Sequence, residues 1–284
     1  MLFRRGRLPL RCVEYRRRSR WERRSFVEII TSRSNPLCTH FRKLAASRSY
    51  REETGEFLCD SPKLLLEAER WGASISVLLY TKGVEVPPMA SQAARVVQVS
   101  ESVMKAVSPM ETPQGVVFSC RSVKHSLPDC LEPDAQGRNR WLVLDGVQDP
   151  GNVGTVLRAA DAFGWRTVLL PGCADLYNPK TVRAGMGVHF RSVVYRCTLG
   201  ELTALRNKAG FPLYGAALRK DTADVRTVDL SRCAVAVGSE GRGLSPAVLA
   251  ACDQTIRIPM DGRCESLNAA AAAAILLWEG ARRD

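Results

Sequence analysis

The stretch WLVLDGVQDPGNVGTVLRAADAFGW, Trp141 to Trp165, commits the second half of this chain to a layered α/β fold. WLVL is a short apolar run of the kind buried on both faces of a sheet. After a tight loop, Val153, Val156, Leu157, Ala160 and Phe163 recur at helical spacing, and Gly164 closes the helix. A strand that feeds a helix this abruptly belongs to a parallel sheet covered by helices. Ligands of such sheets bind outside the carboxyl ends of the strands, where this loop lies. Asn152 in the loop region and the lone Arg158 on the helix therefore need a chemical explanation.

The alternation continues to the end of the chain. WLVLD, TVLLP, SVVY, PLYGAA, CAVAVG and TIRIP read as strands, and helices fit between them. In SPAVLAAC, Ser245 is a natural N-cap and Pro246 suits the first helical position. Upstream, residues 30–124 read as a smaller α/β unit. NPLCTHFRKLAAS and PKLLLEAERWG have helical periodicity, another helix starts at Glu101, and GEFLCD, ISVLLYT, RVVQVS and PQGVVFSC have strand character. Residues 125–140, rich in Pro, Gly and polar side chains, read as a linker, which leaves 141–284 as the second domain.

Charge divides the chain differently. Residues 1–48 hold 14 Lys and Arg against 3 Glu, so of the formal net charge of +12 only about one unit is left for the remainder. The basic excess belongs to an arm, residues 1–29, and reads either as an organelle transit peptide for a mitochondrion or chloroplast or as a phosphate-gripping tail. Without such targeting the expected location is the cytoplasm. Ten cysteines without a Cys-x-x-Cys pair and three scattered histidines give no zinc spacing, so free thiols and no metal are expected. No apolar run approaches the roughly 20 residues of a membrane span.

A second loop, VGSEGRGLS, carries Gly238 and Gly243 around Glu240. Its spacing is neither a dinucleotide fingerprint nor a P-loop, and a carboxylate there repels a pyrophosphate. A nucleoside-like but cationic ligand suits it better, and S-adenosylmethionine has that character. A third loop, IPMDGRCESLNAAAAAAILLWEG, places Ile258, Met260, Ser266, Leu267 and Asn268 ahead of an alanine-rich helix.

Taken together, DPGNVGTVLRAA, VGSEGRGLS and RIPM…SLNAAAAAAILLWE resemble, in order, the three signature motifs of the SpoU (TrmH-like) RNA ribose 2′-O-methyltransferases of the SPOUT superfamily. The segment ITSRSNPLCTHFRKLAASRSYREETGEFLCDSPKLLLEA resembles that family's L30e-like substrate-binding domain. The resemblance implies a SPOUT domain with a mostly parallel sheet and a trefoil knot, preceded by the small α/β module. It also implies S-adenosylmethionine as methyl donor, RNA as partner and a homodimer that completes the active site.

By motif matching, Gly238, Ile258 and Leu267 line the cofactor pocket, with Gly243 and Met260 beside them, and Arg158, Asn152, Glu240, Ser266 and Asn268 form the catalytic set. Arg158 matches the arginine thought to activate the ribose hydroxyl. A guanidinium keeps its proton, so its role is to stabilise developing alkoxide charge rather than to act as base. Asn152 is expected to position Arg158 or a phosphate, with Arg158 reaching back towards the loop from the following helical turns. Two departures stand out. Ala269-Ala270 follow Ser266-Leu267-Asn268 where many relatives carry Val-Ser, which bears on cofactor affinity. CDSPK, Cys59 to Lys63, replaces a more usual Glu-Gly pattern, which bears on the grip on substrate. RAGMGVHFR, Arg183 to Arg191, resembles the branch with mitochondrial large-subunit rRNA enzymes. The expected function is 2′-O-methylation of a ribose in structured RNA, rRNA in an organelle; a tRNA methyltransferase and an RNA-binding or ribosome-assembly factor without efficient chemistry are the alternatives.

Overall fold

The computed structural model describes residues 28–84, 93–128, 133–134, 137–262 and 266–282. The basic arm up to residue 27, and with it the targeting expectation, lies outside them.

The amino-terminal unit runs β1 (Ile29–Ile30), α1 (Pro36–Ala46), α2 (Arg48–Thr54), β2 (Glu56–Cys59), α3 (Pro62–Arg70), β3 (Ile75–Thr81), β4 (Arg95–Val99), α4 (Glu101–Val107) and β5 (Val116–Arg121). Its five strands form one mixed sheet in the order β1-β4-β3-β5-β2, with β2 and β3 antiparallel to β5. Asn35, Ser61 and Ser100 cap α1, α3 and α4 through their side-chain oxygens, and Pro36 and Pro62 open the first two of these helices. Alternation along β5 sends Val117 to the face covered by α1 and α4, where Phe41, Leu44, Val103 and Met104 pack. Val116, Phe118 and Cys120 point the other way, onto Leu64, Leu65 and Ala68 of α3.

The carboxyl-terminal unit runs β6 (Asn139–Asp145), α5 (Pro150–Ala162), β7 (Arg166–Leu169), α6 (Pro179–Gly185), α7 (Val188–Arg191), β8 (Val194–Arg196), α8 (Leu199–Ala209), β9 (Leu213–Ala216), β10 (Ala223–Asp224), β11 (Arg232–Gly238), α9 (Pro246–Ala251), β12 (Gln254–Arg257) and α10 (Ala269–Ala281). Seven strands lie in the order β10-β12-β9-β11-β6-β7-β8, every neighbouring pair parallel. Leu142 and Leu144 of β6 face α5 and α10, while Trp141 and Val143 face Leu202, Leu205 and Val248 of α8 and α9. Both faces are dry, which is why these strands read as unbroken apolar runs.

The two units share a seam. Val182 of α6 is buried within the core of the smaller sheet beside Leu64 and Phe118. Phe57 of β2 stacks against Tyr177 at 4.7 Å and Phe190 at 6.1 Å between ring centroids. Three arginines cross it. Arg51, itself buried, donates from Nε and Nη2 to Asp175 at 3.0 and 2.8 Å and from Nη1 to the Leu44 carbonyl at 2.6 Å. Arg183 donates from Nε to Asp60 Oδ2 at 3.2 Å, and Arg191 joins Glu67 at 3.1 Å to Asp161 at 2.7 Å. The CDSPK departure thus places at position 60 a buried carboxylate that is consumed by the neighbouring domain.

Candidate active site

Three loops leave the carboxyl ends of β6, β11 and β12 and meet at the N-terminus of α5. Asp149, not Asn152, caps that helix, accepting from the Asn152 backbone N–H at 2.8 Å. The Asn152 carboxamide is therefore released for tertiary work. Its Nδ2 donates to Glu240 Oε1 in the β11 loop, and its Oδ1 accepts from Asn268 Nδ2 at 3.2 Å. Asn268 in turn caps α10, its Oδ1 accepting from the Ala270 and Ala271 N–H groups at 2.9 and 3.3 Å. Because a carboxylate only accepts, Glu240 fixes which end of the Asn152 amide faces it, and the Asn152 oxygen in turn fixes that of Asn268.

The β11 loop is held closed on itself. Ser239 and Gly243 exchange backbone hydrogen bonds at 3.0 and 2.9 Å, and Gly243 takes a φ of +65°. A Cβ on Gly238 would lie 2.1 Å from the Gly243 carbonyl carbon, so this position must be glycine for the loop to close. Asp145, at the end of β6, receives the Ser245 N–H at 2.6 Å and ties the far end of the loop to the sheet. The motifs do not single out Asp149 or Asp145. An acid three residues ahead of the capped N–H was the available signal for Asp149, whereas Asp145 acts across 100 residues of chain and left none.

Beside this cluster, between the ends of β9 and β12 and the start of α10, lies a cavity of about 160 Å³. Ile258, Met260, Ser266 and Leu267 line it, facing Ala216 and Leu276. Gly243 lines the neighbouring cavity with Glu240, and Gly238 is tucked behind the loop that forms that cavity's wall. The slot is largely apolar, with Arg257 its one charged lining residue among the described ones. Leu218 and Met260 stand exposed at its rim, at 63% and 38%. A largely apolar slot with exposed apolar side chains at its rim fits the adenosyl part of S-adenosylmethionine.

Arg158 does not join the cluster within one chain. Six residues along a helix carry it about 9 Å from Asn152 and about 120° around the axis. It is exposed, has no hydrogen-bond or ion-pair partner among the described residues, and shares an outer stripe of α5 with Thr155 and Ala162. α5 packs on α10, whose own outer stripe holds Ala271, Ile275 and Trp278. Trp278 reaches the Phe163 ring at the end of α5, 5.7 Å between centroids.

A fully parallel sheet with its polar cluster and nucleoside-sized slot at the carboxyl edge defines an α/β enzyme that acts through a bound nucleoside-type ligand. The comparisons with known proteins make the class specific. The model of the SpoU rRNA Methylase family matches residues 139–278, and that of the MRM3-like substrate binding domain matches residues 35–117. The 23S rRNA (guanosine(2553)-2′-O)-methyltransferase RlmP of Bacillus subtilis is 32% identical over 250 residues, covering 88% of this chain and 97% of its own. The mitochondrial rRNA methyltransferase 3 of Homo sapiens is 28% identical, over 84% of this chain and 70% of its own. An AdoMet-bound rRNA methyltransferase from Sinorhizobium meliloti superposes with a TM-score of 0.80 at 30% identity, covering 90% of this chain and 98% of its own. The chain belongs to the SpoU family, the S-adenosylmethionine-dependent RNA 2′-O-methyltransferases.

Proposed function

We propose that this enzyme methylates a ribose 2′-hydroxyl of large-subunit rRNA in an organelle, as a homodimer, with Arg158 supplied to the reaction across the dimer interface. The observation that carries the reading is the Asn152–Glu240–Asn268 chain of hydrogen bonds beside the apolar slot. S-adenosylmethionine brings an electrophilic methyl group; Ile258, Met260, Ser266 and Leu267 hold its adenosyl portion. Glu240, fixed by Asn152, sets a negative charge at the edge of the slot, where a sulfonium is favoured. Asn152 and Asn268 hold that carboxylate and the attacking ribose in line, and Arg158 stabilises the oxygen as its proton passes to solvent.

The position of Arg158 supports the dimer in this reading. Arg158 is exposed away from its own chain's cluster, on a face edged by exposed Ile275 and Trp278 that a second copy would cover. Threading of the segment between β12 and α10 through the fold is the knot that the family resemblance implies. The rRNA target and the organelle rest on the relatives named for rRNA, among them mitochondrial ones, and on the basic arm.

The test is methyl transfer from labelled S-adenosylmethionine to purified large-subunit rRNA and to tRNA, followed by mapping of alkali-resistant linkages. Transfer to one rRNA ribose is expected. Transfer to tRNA alone overturns the rRNA assignment, and cofactor binding without transfer to any RNA overturns the enzymatic role in favour of RNA binding. A reporter carrying residues 1–29 should enter mitochondria or plastids; a cytosolic signal removes the organelle.

A further inference from the structure

We infer that a trough along the carboxyl edge of β6, β7 and β8 seats the RNA strand flanking the methylated nucleotide, with Arg242, Arg196 and Arg48 on its phosphates. The inference rests on the proposed RNA reaction but concerns a different surface from the cofactor slot.

Two cavities form the trough. One, of about 410 Å³, lies between the β6 and β11 loops and includes Glu240 and Arg242. The other, of about 350 Å³, lies between the β7 and β8 loops and α2 of the smaller domain, with Arg196 and Arg48 in its walls. Gly172 lines both, so the two adjoin. Its φ of +92° is glycine backbone, and the floor there carries no side chain. From β11 through β6 and β7 to β8 is three strand spacings, or about 14 Å, room for a few nucleotides of one strand.

Carboxylates also line or border this trough, Glu240 among them, and each has at least one oxygen bonded within the chain. Glu201 accepts from the Thr198 N–H at 2.6 Å and hydroxyl at 2.8 Å, completing the capping box of α8, and its carboxyl is held below the usual range by those bonds. Asp175 is shared between Arg51 and Arg196, and Asp145 takes the Ser245 N–H. The guanidiniums are less fully used. Arg196 spends only Nη2 on Asp175, at 3.2 Å, and Arg48 only Nε on Glu52, at 2.9 Å. Arg242 is exposed, without a partner among the described residues. Spare donors set about one polyanion strand apart, over acids bonded within the chain, form a phosphate track in a body of nearly neutral charge.

The track also gives Arg48 a role. It sits on the reading domain, whereas Arg196 and Arg242 sit on the catalytic one, so a strand bound to all three is held in register by both.

Arg48→Glu, Arg196→Gln and Arg242→Ala, made in the full chain, test this on an rRNA transcript, with Lys105→Glu on exposed α4 as a charge control. Equilibrium binding at several salt concentrations and steady-state KM and kcat are the readouts. Each trough variant should raise the Kd and KM for RNA about three- to tenfold and flatten the slope of log K against log salt by about 0.7–0.9, the signature of one lost phosphate contact. Affinity for S-adenosylmethionine and kcat at saturating RNA should stay within about twofold, and Lys105→Glu should match the wild type. Wild-type Kd and slope in Arg48→Glu and Arg196→Gln overturn the trough. So does a loss of equal size in Lys105→Glu, which would mean that overall charge alone is read. Binding through these arginines without methyl transfer by the wild type leaves the trough standing and overturns the proposed reaction instead.

Discussion

The two sheets of this molecule are built from the same apolar residues, yet only one has a site at its edge. In the seven-stranded sheet every strand points the same way, so the loops after β6, β11 and β12 emerge on one side and can converge. In the five-stranded sheet β5 runs against β2 and β3, which divides the loops between two edges. It has a polar cluster of its own, His40 between Tyr50 and Glu56 with Arg121 beside it, but that cluster ties α1 and α2 to β2 and β5 and gathers no loops. Two other buried charges leave it sideways: Arg51 and Asp60 pair with Asp175 and Arg183 of its neighbour. A parallel sheet collects chemistry, and the mixed one spends its charges on being held in place.

The sharpest way to break this contrast uses two arginines. Arg51 lies in the seam with its side chain 5% exposed, against an Asp175 at 9%. Arg51→Ala leaves a buried carboxylate short of its main partner and should cost about 3–5 kcal/mol. Thermal unfolding should show it as a midpoint lowered by roughly 10 °C. An unchanged midpoint would mean that the seam does not hold the two sheets together.

Arg158→Ala should do the reverse. The rate of methyl transfer at saturating RNA should fall about 10²–10³-fold, or about 3–4 kcal/mol of barrier, while the unfolding midpoint and S-adenosylmethionine affinity stay at wild-type values. Arg158→Lys should recover little, because an ammonium on a flexible stem does not reproduce the planar fork. Wild-type turnover by Arg158→Ala would remove it from the reaction.

A third test sharpens the seam by pH. His189 packs against Phe57 and Tyr177 and donates from Nε2 to the Leu176 carbonyl at 2.8 Å; burial pushes its pKa down to about 4. The ring is neutral in the folded protein and charges in the unfolded one below about 6.5. The stability it confers is therefore complete above that pH and drains away as pH falls towards about 4, by on the order of 3 kcal/mol. Denaturant unfolding of His189→Gln should lack that part of the acid slope; an identical slope would place the titration elsewhere.

The smallest expected effect separates the sheets most cleanly. Ser61 and Asp149 are both N-caps, of α3 and α5. Each mutation to Ala should cost about 1 kcal/mol of stability. Only Asp149→Ala should also slow methyl transfer, because the N–H it holds belongs to Asn152. Equal activity in the two variants would show that the cluster does not depend on how α5 begins.

Much of this was legible beforehand. The strands and most helices follow from periods of 2 and 3.6 and from caps such as Ser61, Ser100 and Ser245, which are local signals. Helix α2 (Arg48–Thr54) and the pair α6 and α7 were not read, being short, polar and without a repeat. The three loops mark a ligand site by their residue types and their place after strands, and Ile258, Met260 and Leu267 line one cavity.

What sequence alone determined, then, is everything set within a few residues: alternating elements, their caps, and polar loops at strand ends, together with the motifs that identify the family. Tertiary structure decided the rest. Asn152 meets Glu240 across 88 residues and Asn268 across 116, and Arg51 meets Asp175 across 124. An arginine reads the same in a sequence whether it is solvated like Arg158 or buried like Arg51, because burial and pairing depend on what the chain brings opposite it. Only the folded sheet order brings those residues together.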